Sequence, residues 1–106
     1  MNGSPRPIVR LSEDELRRRF NEGRYWERLQ AGELRAFHRR DKHPAPPLSE
    51  QPHCTRSQEV SYLDLHDQEV ARVHQYLRPD GTLGGSGRPD PKRLLEGGVL
   101  YRLTKG

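Results

Sequence analysis

The sequence predicts a small α+β fold: two N-terminal helices, a Pro-rich connection, then an antiparallel β-hairpin with a short helix and a third short strand. Three observations predict it. Apolar residues recur at helical spacing between Leu11 and Phe37. Prolines crowd the stretch from Pro44 to Pro52. Val, Tyr and Leu concentrate in two runs between Val60 and Leu77, with a polar break at His66-Asp67-Gln68. With 106 residues the chain has room for one small domain. Its divisions are a tail (1–10), an Arg-rich helical segment (11–40), a Pro-rich linker (41–57) and a hairpin-containing unit (58–106). Only 30% of residues are hydrophobic, against about 45–50% apolar, glycine included, in average globular chains. The expected core is therefore small.

The first helix has the clearest local chemistry. Ser12 is an N-cap with Glu15 three residues later, a capping box, and Leu11 and Leu16 complete a hydrophobic staple. Glu13 and Asp14 in the first turn and Arg17 to Arg19 further along suit the helix dipole, and Gly23 is the expected stop. A second helix is expected from about Arg24 to Arg40, with a break at Gly32, because Trp26, Leu29, Leu34 and Phe37 form one stripe. Further on, Pro79-Asp80-Gly81 predicts a turn. Asp90 and Pro91 read as the cap and first position of a short helix over Lys92–Glu96, ended by Gly97 or Gly98. Val99 to Leu103 reads as the last strand.

Composition excludes several classes. No stretch approaches about 18 consecutive apolar residues, so a transmembrane helix is excluded and no membrane partner is expected. Residues 1–10 lack the apolar region of a secretory signal. A single cysteine allows no internal disulfide and fits a reducing compartment, so a cytoplasmic location is expected. Metal binding is not expected: His38 and His43 make half a ligand template, and His53-Cys54 supplies no second pair. Gly84-Gly85-Ser86-Gly87 runs into Arg88 and Pro89 rather than Lys-Ser or Lys-Thr, so no phosphate loop forms there and no cofactor is expected.

The net charge is +4, and the whole excess lies in residues 1–57. Arg17, Arg18, Arg19, Arg24, Arg28, Arg35, Arg39 and Arg40 form the candidate nucleic-acid-binding set, since guanidinium forks match phosphate. The expected function is that of a small basic accessory protein binding nucleic acid or a nucleoprotein partner through this half. A second reading is a metal-independent ribonuclease-type toxin. Strand alternation puts Arg72, His74, Tyr76 and Arg78 on one face, with His74, Tyr76 and Arg78 as catalytic candidates and His74 as a neutral base. A third reading is an adaptor that orders on its partner. An open sheet edge would admit a protein partner or a second copy.

The segment His74-Gln75-Tyr76-Leu77-Arg78-Pro79-Asp80-Gly81-Thr82, with Pro89-Asp90-Pro91-Lys92-Arg93-Leu94, resembles a stretch found in small uncharacterised bacterial proteins. The resemblance spans the C-terminal third to half of the chain. It implies no activity, cofactor or site residue.

Overall fold

A computed structural model of the protein describes residues 6–42, 55–85 and 87–104. Its elements run β1 (Ile8–Leu11), α1 (Glu13–Glu22), α2 (Tyr25–Gln30), β2 (Arg35–Lys42), β3 (Arg56–Leu63), β4 (Glu69–Leu77), β5 (Asp90–Glu96) and β6 (Val99–Leu103). All six strands form one sheet in the order β1-β6-β5-β4-β3-β2. β2 to β6 are an antiparallel meander, and β1 joins the far edge parallel to β6.

This sheet corrects the expected fold, a hairpin with one further short strand. The tail assigned to residues 1–10 contributes Ile8, Val9 and Arg10 to β1, paired in register with β6. The helix expected from Arg24 to Arg40 ends at Gln30, and Arg35–Lys42 is the edge strand β2. Gly32, at φ +86°, ends the helical path, and the main-chain ladder to β3 outweighs the helical spacing of Leu34 and Phe37. The ends of the segment called a linker are strand: Asp41 and Lys42 belong to β2, and Arg56 and Ser57 to β3. Its prolines lie outside the described residues. The short helix expected over Lys92–Glu96 is β5. Pro91 sits beside the bulge between β4 and β5, where a strand tolerates a missing N–H. Gly97 and Gly98, both at positive φ, form a two-residue hairpin turn to β6 instead of a helix stop.

Helix α1 has the expected local chemistry. The Ser12 side chain accepts from the Glu15 N–H, and the Glu15 carboxylate accepts from the Ser12 N–H. Gly23 closes the helix for a reason the sequence does not advertise. Its φ of −77° needs no glycine, but a Cβ there would meet Cε2 of Tyr25 at 2.5 Å. Arg24 takes the left-handed conformation instead, at φ 54°.

Both helices cover one face of the sheet. Leu16 and Phe20 of α1 and Tyr25 of α2 pack with Val60 and Tyr62 of β3, Ala71 and Val73 of β4, and Leu94 of β5. Phe20 stacks on Tyr25, and the Tyr25 hydroxyl donates to Glu96 at 2.6 Å. Trp26, Leu29, Tyr101 and Leu103 seal the margin of this core. No helix among the described residues is long and apolar enough to cross a membrane. The opposite face of the sheet is covered by neither helix, and it carries the site described next.

Candidate nucleic-acid interface

Side chains alternate along a strand, so burying Val60, Tyr62, Ala71, Val73 and Leu94 beneath the helices turns their neighbours to the other face. Strand register then aligns those neighbours into rows. One row crosses the whole sheet: Phe37 pairs with Ser61, Ser61 with Arg72, Arg72 with Arg93, Arg93 with Arg102, and Arg102 with Arg10. Four arginines therefore stand in register on four adjacent strands, about 4.8 Å apart at the backbone. Like charges directly opposite one another are destabilising.

One carboxylate relieves this repulsion. Glu69 lies 3.0 Å from Arg72 and 3.6 Å from Arg93, and it also accepts from the Ser61 hydroxyl. The relief is partial. Burial pushes the Arg93 guanidinium below its ordinary range, and Arg72, Arg102 and Arg39 push in the same direction while Glu69 opposes them. This face bears a groove of about 420 Å³, whose lining includes Phe37, Arg39, Glu69, Arg72 and Arg93. Phe37 is 54% exposed at one end of the row. A guanidinium row ending in an exposed aromatic ring can hold a chain of phosphates and stack a base.

His74 follows Arg72 on the same face of β4. Its Nε2 lies 2.9 Å from Oγ of Ser57, and its ring meets the Tyr76 ring edge-on at 4.7 Å. Two recesses share this imidazole. One, of about 170 Å³, is lined by Arg17, Tyr76, Gly84, Gly85, Arg88 and Asp90 as well as His74. The other, of about 150 Å³, is lined by Arg40, Lys42, Ser57 and Glu59 beside it. Burial lowers the His74 pKa below its ordinary 6.5, Lys92 lowers it further, and Asp90 and Glu59 partly oppose. These surroundings favour the neutral form of the imidazole.

The structure brings the catalytic candidates His74 and Tyr76 together. It does not add Arg78, which sits in the turn after β4 with its N–H on Thr82 O and lines neither recess. The eight candidate binding arginines are divided. Arg17, Arg18, Arg19, Arg24 and Arg28 belong to the helical layer, whereas Arg35, Arg39 and Arg40 belong to β2. Several already have acidic partners: Arg17 with Asp14 and Asp90, Arg19 with Glu96, Arg28 with Glu33, Arg35 with Asp67, and Arg39 with Glu59. Arg19 also lies over the Tyr101 ring at 4.2 Å.

The row of Arg10, Arg72, Arg93 and Arg102 escaped the sequence reading, although one signal for it was present. In a two-residue hairpin through Gly97-Gly98, Arg93 and Arg102 fall opposite each other. Among the described residues no group of three or more His, Cys, Asp or Glu is placed to hold a metal ion. His43, His53 and Cys54 lie outside them. Comparison of the chain with protein-family models, with curated proteins and with solved structures gave no match.

Proposed function

We propose that this protein binds single-stranded nucleic acid on the uncovered face of its sheet. The observation that carries the reading is the in-register row of Arg10, Arg102, Arg93 and Arg72. Four arginines in register, of which Glu69 reaches only Arg72 and Arg93, are unfavourable without an anion, and a phosphodiester chain supplies a series of them. Phe37 at one end of the row and Tyr76 beyond His74 offer ring faces to unpaired bases, which a duplex keeps stacked inside. The interface thus moves from the helical arginines to the sheet. Its role is that of an accessory binding module, and a cytoplasmic location accords with nucleic acid as ligand and with a single cysteine.

The test is fluorescence anisotropy with a labelled single strand and with its duplex, over a range of salt. Binding tighter to the single strand and weakening steadily with salt is expected. Salt-independent binding, or a preference for duplex, would reject the reading.

A further inference from the structure

We propose that the bound strand is RNA and that His74 cleaves it, taking the proton of a 2′-hydroxyl as that oxygen attacks the adjacent phosphorus. The proposal rests on the binding reading above and adds a reaction to it. Placement is the first argument. Along β4, His74 comes two residues after Arg72, about 6.8 Å further on the same face. A phosphodiester chain leaving the arginine row along this strand passes over the imidazole. The recess that β2 and β3 form at His74 then lies beside the chain and adds Arg40 and Lys42. Cations beside a reacting phosphate stabilise the extra negative charge of its five-coordinate transition state.

The second argument is the state of the ring. Contacts with Ser57 and Tyr76 fix its orientation. The charged groups around it come from every neighbouring element: Lys92 and Asp90 of β5, Glu59 of β3, Arg40 and Lys42 of β2, and Arg17 and Arg88, which are held in ion pairs by Asp90 and Glu27. Burial and Lys92 outweigh the carboxylates, leaving the ring neutral and able to accept a proton near neutral pH. The ring nitrogen that carries no hydrogen in the neutral imidazole takes the proton.

In the step, the 2′-oxygen forms its bond to phosphorus and its proton passes to His74. The bond from phosphorus to the 5′-oxygen breaks, and that oxygen takes a proton from solvent water. The products are a 2′,3′-cyclic phosphate and a free 5′-hydroxyl. A DNA strand has no 2′-hydroxyl and is bound but not cut.

The experiment pairs two strands of one sequence, RNA and fully 2′-O-methylated RNA, in about 50 mM salt where phosphate contacts are strong. The wild-type protein is expected to bind the methylated strand by anisotropy and to cut the unmodified one to cyclic-phosphate ends. His74→Gln, checked for folding by its thermal midpoint, is expected to cut at least about 100-fold more slowly. The wild-type rate is expected to rise with pH to a plateau as the imidazole loses its proton. Methylated RNA bound while plain RNA stays intact would overturn the cleavage proposal and leave the binding reading standing. Cleavage by His74→Gln at the wild-type rate would also overturn it, as would a wild-type rate that does not rise with pH. No binding of the methylated strand would reject the binding reading itself, and this proposal with it.

Discussion

Glu69 holds its carboxylate 3.0 Å from the guanidinium of Arg72, three residues along the same strand, and reaches Arg93 of β5 at 3.6 Å. It is the counter-charge at the centre of the arginine row. Glu69→Gln keeps the shape of the side chain and removes its charge. Affinity for a single strand should rise, and the logarithmic salt slope should steepen by up to about 0.7, one further phosphate contact. Stability should fall by about 1–2 kcal/mol, because the unrelieved guanidiniums repel and Ser61 loses a charged acceptor. Salt titrations and thermal melts of the two proteins check both signs. A gain in binding together with a loss in stability is the mark of a site held against its own repulsion.

At the junction of the two helices, Gly23→Ala should destabilise the fold by about 1–3 kcal/mol. The new Cβ would lie 2.5 Å from Tyr25 Cε2, and that ring cannot yield, being stacked on Phe20 and tied to Glu96. Arg24→Gly should act in the opposite direction and raise stability by up to about 1 kcal/mol, since Arg24 occupies the left-handed region at φ 54°. Denaturant melts of the two variants separate the roles of these neighbouring positions. Strand binding by Arg24→Gly should equal that of the wild type, because Arg24 lies in the helical layer.

Tyr25→Phe should cost about 1–2 kcal/mol, less than the full value of a bond to a charged group because Glu96 keeps Arg19 as a partner. The same comparison bears on pH. Burial raises the Tyr25 hydroxyl far above its usual value, with the Glu96 bond adding to the effect, so it stays a donor throughout the stable range. The loss in Tyr25→Phe should therefore be the same at pH 6 and pH 9 in paired thermal melts.

What the sequence made legible was local. The Ser12–Glu15 capping box and the break at His66-Asp67-Gln68, where the Asp64 carboxylate accepts from the His66 and Gln68 N–H groups, depend on partners within four residues. The strand character of Val60–Tyr62 and Val70–Leu77 follows from residue types and alternation. What stayed hidden depends on pairing between distant segments. Arg35–Lys42 has neither a strong helical nor a strong strand preference, and β3 decides its state. Asp90-Pro91 opens a helix as readily as it begins a strand beside a bulge. Gly97-Gly98 can end a helix or form a hairpin turn, and only the turn pairs β5 with β6 and sets Arg93 opposite Arg102. His74 and Tyr76 were legible because their juxtaposition lies within one strand. The arginine row was not, because it runs across four.

Acid should weaken the fold through His74. Its folded pKa is lowered below the ordinary 6.5, so between those two values the unfolded chain binds the extra proton and the folded one does not. Stability contributed by the neutral ring is complete above pH 6.5. It declines as pH falls toward the folded value and is constant below it. In His74→Gln that part of the slope should vanish, and melts at half-unit pH steps would detect it. An unchanged slope would assign the acid sensitivity to the carboxylates instead.

The most direct test of the central claim is the salt dependence of single-strand binding in Arg93→Gln/Arg102→Gln, compared with Arg17→Ala/Arg18→Ala/Arg19→Ala. The first variant removes two members of the row and leaves the Glu69–Arg72 pair in place. The second removes the helical cluster. If phosphates lie along the sheet face, the first variant should lose about 1.4 from the magnitude of the logarithmic slope, two contacts on a single strand, while the second keeps the wild-type slope. A wild-type slope in the Arg93/Arg102 variant, with the loss confined to Arg17–Arg19, would contradict the account and return the interface to the helices.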